Sequence, residues 1–103
     1  MDKELRESFS DLVYSATYRG TVAIKLSLLF EHKSYQPRYP HLQLLRYMLG
    51  IWETQRDQKL ALTPVIPIIV YHGRESWQYR TLSELFAGAD QELRRFLPSF
   101  DYL

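Results

Sequence analysis

Asp11, Glu31 and Lys33 carry the side chains that a metal-dependent phosphodiesterase needs, if the fold brings them together. Two carboxylates that converge on one divalent cation suit Mg²⁺, which usually takes one or two carboxylates and keeps several waters. The cation lowers the pKa of a bound water and polarises a phosphate. A neighbouring ammonium can orient that water or offset the charge that develops on the phosphate oxygens. Asp11 and Glu31 would be the metal ligands and Lys33 the ammonium. The bland alternative is a solvated aspartate beside an ordinary surface Glu–Lys pair, which contributes little.

The elements that carry these residues decide between the two. From Phe9 the sequence alternates: Leu12, Tyr14, Ala16 and Tyr18 at even positions, Asp11, Ser15 and Thr17 at odd ones. Arg19-Gly20-Thr21 supplies a turn with a glycine for positive φ. Val22, Ile24, Leu26, Leu28 and Phe30 then repeat the even pattern against Lys25, Ser27, Glu31 and Lys33. Two period-two runs around a glycine turn predict a hairpin. Burying both even faces together requires facing residues whose numbers sum to an even value. With Gly20 at the loop centre that sum is 40, which sets Asp11 opposite Leu29 and diagonal to Glu31, roughly 7–8 Å away on the same face. A sum of 38 would separate the acids too far to share a cation. Lys33, two beyond Glu31, is expected on the same face, and His32, on the even face, is expected to pack in the core.

After the loop around Pro37 and Pro40, a helix starting at Pro40 and ending near Gln58 is predicted. Leu42, Leu45, Leu49 and Trp52, with Met48 beside them, form its apolar stripe. Val65 to Tyr71 reads as a strand covered on both faces, and Pro67 within it argues for an edge, a bulge or a non-bonding N–H position. His72-Gly73 closes that strand. Two short helical patterns follow, Leu82 to Ala87 and Asp90 to Leu97. The order strand, strand, helix, strand, helix is an α/β layer with an antiparallel hairpin.

Composition limits the function classes. The net charge is +1, so any nucleic-acid contact must come from a local patch rather than a global cationic bias. Arg38, Arg46, Arg56, Arg74 and Arg80 are the candidates, against the alternative of a mixed-charge surface. The absence of cysteine excludes thiolate metal sites and disulfides and is compatible with a reducing compartment. His32, His41 and His72 lack the close spacing of a zinc helix, and neither a Gly-rich phosphate loop nor a G-x-S-x-G elbow is present. No run is long and apolar enough for a membrane span or a signal peptide, so a cytoplasmic protein is expected.

Four blocks, in order, resemble the Rpn family of recombination-promoting nucleases, the YhgA-like transposase group of the PD-(D/E)XK superfamily. They are Ser10-Asp11-Leu12-Val13-Tyr14, Leu28-Leu29-Phe30-Glu31-His32-Lys33-Ser34, Leu44-Leu45-Arg46-Tyr47-Met48 with Ile51-Trp52-Glu53, and Val65-Ile66-Pro67-Ile68-Ile69-Val70-Tyr71-His72-Gly73. The resemblance covers roughly residues 8 to 103. It implies a PD-(D/E)XK restriction-endonuclease-like core: hairpin, helix and strand, with helices flanking a mixed sheet. It also implies a Mg²⁺- or Mn²⁺-dependent DNA endonuclease, with Asp11 and Glu31 on the metal and Lys33 at the catalytic lysine position. Gln43 and Tyr47 fit the QxxxY spacing of some related nucleases and, with Arg46 and His72, are candidate substrate contacts. Residues 1–103 are expected to form one domain, shorter than its relatives at both ends. A homodimer would suit double-strand cutting, by analogy. The alternative is an inactive remnant that keeps the fold as a DNA-binding or oligomerising module.

Overall fold

The computed structural model describes residues 12–103. Asp11 lies outside the described residues.

Alternating β-branched, aromatic and small residues form two strands, β1 (Val13–Tyr18) and β2 (Val22–Glu31). They pair antiparallel from Val13↔Ser27 to Tyr18↔Val22, so every pair sums to 40, the register expected from the parity of the apolar residues. Leu28 N–H donates to Leu12 C=O at 2.8 Å and carries the ladder one step further. The loop between the strands is the expected three residues, Arg19-Gly20-Thr21. Thr21 N–H donates to Tyr18 C=O at 3.1 Å, and both central residues are left-handed, Arg19 at φ 50° and Gly20 at φ 76°. Such a primed turn matches the strand twist.

Helix α1 spans Pro40–Asp57, with Pro40 in its first turn, where a missing N–H costs nothing. Its buried residues are Pro40, His41, Leu44, Tyr47, Met48 and Gln55. Of the anticipated stripe Met48 is buried and Leu45 and Trp52 are half-buried, but Leu42 and Leu49 are about half exposed, at 52% and 51%. Docking on the sheet turns the helix toward its Leu44/Tyr47 side. The helix exit is pinned by side chains: Gln55 Nε2 donates to Thr63 Oγ1 and Trp52 Nε1 to Thr63 C=O, at 2.9 and 2.7 Å.

Strand β3 (Val65–Tyr71) then pairs parallel with β2, Lys25↔Val65 through Glu31↔Tyr71, giving a mixed sheet in the order β1-β2-β3. On β3's outer side Leu103 N–H donates to Pro67 C=O and Ile69 N–H to Leu103 C=O, at 3.0 and 2.7 Å. Those bonds show that Pro67's missing N–H would point away from β2, so the central ladder loses nothing.

The helix-covered side corrects one sequence expectation. Ser27, Leu29 and Glu31 are buried, whereas Leu26, Leu28 and Phe30 are only half-buried. The core cluster is Leu29, Leu44, Tyr47 and Tyr102, with Ile69, Trp77 and Phe100 packed against it. The odd face therefore meets α1, and the even face is not the core face. His32 is exposed just past the end of β2, not in the core.

The buried histidine is His41, which sits edge-on to Tyr102 at 5.4 Å between centroids. Its Nε2 pairs with the Arg80 carbonyl. A carbonyl can only accept, so Nε2 carries the proton. Beyond β3 the predicted helices shrink to a 3₁₀ turn (Leu82–Leu85), closed by a Thr81/Glu84 capping box, and a single turn α2 (Gln91–Arg94), capped by Asp90. Among the described residues no helix is long and apolar enough to cross a membrane.

Candidate active site at the end of the central strand

Glu31 is the last residue of β2, the central strand, on the face that α1 covers, and it is 9% exposed. Its Oε1 accepts the backbone N–H of Lys33 at 3.1 Å. The chain therefore curls back onto the carboxylate as soon as the strand ends. Lys33 consequently does not continue the strand's alternation, as its spacing suggested. It stands in a bend, exposed, with Nζ 6.0 Å from the centre of the Tyr35 ring.

The chain around this point is tied to the segment after β3. Tyr71, the register partner of Glu31 on β3, directs its hydroxyl at Ser34 C=O (3.4 Å), and Arg74 N–H donates to the same carbonyl at 2.9 Å. Two residues on, Gln36 grips Gln78 twice: its Nε2 donates to Gln78 C=O at 2.8 Å and its Oε1 accepts Gln78 N–H at 2.7 Å. Spacing along the sequence carries no signal for this double seam, which joins residues about forty apart.

Among the other candidates, Tyr47 is a core residue, and its hydroxyl receives a hydrogen bond from Gln43 Nε2 at 3.0 Å. Gln43 is half-buried beside it, and Arg46 and His72 are exposed. Arg56 is engaged with Asp57 at 3.0 Å and Glu53 at 4.0 Å, both exposed pairs. Arg38 and Arg80 share the wall of an open polar basin of about 760 Å³ together with Glu75 and Glu84. Arg74 stands on the adjoining loop, where its backbone joins the Ser34 seam. The five arginines thus divide, with Arg38, Arg74 and Arg80 on the two loops that are stitched together beyond Glu31.

Thr81 donates hydrogen bonds to Glu84 from both its hydroxyl and its backbone, which holds the Glu84 carboxyl below its ordinary value. A second cavity of about 310 Å³ lies between the hairpin and α1, lined by Val13, Lys25, Ser27, Tyr47, Ile51 and Gln55. Among the described residues that line it there is no acid. Ser27 and Glu31 are four strand residues apart, roughly 13 Å at the usual rise, so this cavity is separate from the carboxylate.

Among the described residues no group of three or more His, Cys, Asp or Glu side chains is placed to hold a metal ion. They contribute one buried carboxylate at the strand end, compatible with a cation that takes one or two carboxylates and otherwise water. The proposed second ligand, Asp11, lies outside the described residues.

A family model described as "Putative transposase, YhgA-like" matches residues 1–103. A curated relative, the recombination-promoting nuclease RpnA of Escherichia coli (strain K12), is 33% identical over 99 residues, which is 94% of this chain. The chain spans about a third of that relative's length (33%). No solved structure matches.

Proposed function

The chain belongs to the YhgA-like transposase family, and on that premise we propose that it is the PD-(D/E)XK-type core of a divalent-metal-dependent DNA endonuclease. The observation that carries this reading is Glu31. It is a buried carboxylate at the end of the central strand, in a hairpin whose register matches the one under which Asp11 would lie diagonal to it. Glu31 and Asp11 would hold Mg²⁺ or Mn²⁺. The bound cation would supply an activated water and a polarised phosphate. Glu31 provides the anionic oxygens, held in place by the Lys33 amide. Lys33 provides an ammonium two residues away, able to approach the phosphate oxygens or the attacking water. DNA is the proposed substrate, with Gln43, Arg46 and His72 as candidate contacts and Arg38, Arg74 and Arg80 as candidate phosphate contacts.

Purified protein incubated with supercoiled plasmid and Mg²⁺ or Mn²⁺ is expected to nick it. Chelation, Glu31→Gln and Asp11→Ala should each abolish nicking, and Lys33→Ala should lower it by roughly 10²-fold or more. Metal-independent cleavage, or cleavage unaffected by Glu31→Gln, would refute the assignment. A second reading, a non-catalytic DNA-binding or oligomerising module, is favoured by one observation: the described residues supply a single carboxylate at the site. It predicts retarded DNA without nicking.

A further inference from the structure

Gly73 has no room for a side chain. A Cβ built there would lie within the ring of Tyr71, overlapping its hydroxyl, Cζ and Cε1. The tyrosine therefore folds back over the chain two residues ahead of it, where it packs edge-on against Trp77 with centroids 4.9 Å apart. From that position its hydroxyl points at Ser34 C=O. Tyr71 is also the register partner of Glu31, so in this parallel pair the two side chains stand on the same face of neighbouring strands.

These facts meet on one short loop. Lys33 is fixed by its amide on Glu31, and the next carbonyl, Ser34, is fixed by Arg74 N–H at 2.9 Å and by Tyr71. At 3.4 Å the tyrosine hydrogen bond is long and weak. The ring's packing matters more than its hydroxyl.

We propose that Tyr71 and Gly73 form a latch: the glycine leaves space for the tyrosine ring, and the ring clamps the loop that carries Lys33 beside Glu31. Both are then positioning residues for the nuclease site. The catalytic consequence rests on the function proposed above, whereas the latch itself does not.

Amide hydrogen exchange and plasmid cleavage, measured on the full chain, separate the two. Gly73→Ala displaces the ring and should speed exchange of the Lys33 and Arg74 amides by about 3- to 10-fold, the scale of one lost aromatic contact. The Leu28 and Ile69 amides in the sheet should be unchanged. Tyr71→Phe, which keeps the ring, should exchange like the wild type. Tyr71→Ala should reproduce the Gly73→Ala effect, and Gly73→Ala should add nothing in the Tyr71→Ala background, because its obstacle is gone.

In cleavage, Gly73→Ala should lower kcat with little change in KM for DNA, and Tyr71→Phe should keep wild-type kcat. Wild-type exchange in Gly73→Ala, or additive effects of the two alanines, would overturn the latch. Faster exchange with unchanged kcat would overturn the positioning role. A wild-type protein that cleaves no DNA with any divalent metal would sink the nuclease reading, while exchange would still judge the latch. If Gly73→Ala fails to fold, Tyr71→Ala and the double variant carry the same comparison.

Discussion

Taking a carboxylate to 9% exposure removes most of its water, and Glu31 recovers part of that loss from the amide of the residue two positions on. The same bond ends the strand and starts the loop that presents Lys33. A one-residue decision of the opposite kind is made at Arg19, held at φ 50°, where a side chain costs about 1–2 kcal/mol. Its guanidinium lies 5.1 Å from the centre of the Tyr18 ring, a contact that returns about 0.5–1 kcal/mol at an exposed site. The balance favours replacement. Arg19→Asn, creating the Asn-Gly pair that such turns prefer, is expected to stabilise the protein by about 0.5 kcal/mol in denaturant unfolding; a destabilised variant would show that the cation–π contact outweighs the turn.

At the scale of elements, α1 decides which face of the sheet is the inside. Leu44 is 0% exposed and Leu29, which it meets across the layer, 2%. Leu44→Ala should therefore cost about 2–5 kcal/mol, whereas Leu42→Ala and Leu49→Ala, on half-exposed positions, should cost well under 1 kcal/mol. Chemical unfolding of the three variants checks this, and a costly Leu42→Ala would restore the stripe read from spacing alone.

That stripe marks the boundary of what the sequence could tell. The hairpin, its register, the helix limits and the edge position implied by Pro67 followed from local rules: alternation, a glycine turn, a proline at a helix start and a missing donor. The helix side did not, because both faces of β2 carry leucines and both sides of α1 carry apolar residues at helical spacing. Packing chose between near-equal surfaces. Glu31 was legible as a candidate because the register that would set it diagonal to Asp11 was; its burial under α1 was not, because alternation alone put the odd face outside. Lys33's departure from the strand and the Tyr71–Gly73–Ser34 seam were not, because strand ends and long-range loop contacts leave no periodic trace.

Across the whole molecule, residues far apart in sequence close the fold around the site. The loops after β2 and β3 are stitched through Ser34–Arg74 and Gln36–Gln78, and the last residues return to add Leu103 to β3 and Tyr102 to the core. Tyr79 stacks on Tyr102 with centroids 4.6 Å apart, and its hydroxyl approaches Asp101 Oδ1 at 3.3 Å. Desolvation first, and the charge of Asp101 in addition, raise its phenol above the ordinary tyrosine value. A raised folded-state value means that the contribution is fully present below the ordinary tyrosine range and is lost as pH rises through the folded value. Alkaline solution should therefore loosen the C-terminal segment, and Tyr79→Phe should flatten the alkaline limb of a Tm against pH profile. An unchanged limb would exclude Tyr79 as its source.

Glu31 is proposed above as the carboxylate of a metal-dependent nuclease. The most direct test of that assignment is nicking of supercoiled plasmid by wild-type and Glu31→Gln protein, side by side, with Mg²⁺ and with chelator. The prediction is nicked plasmid only for the wild type with metal. Equal nicking by both proteins, or equal nicking with and without metal, would contradict it.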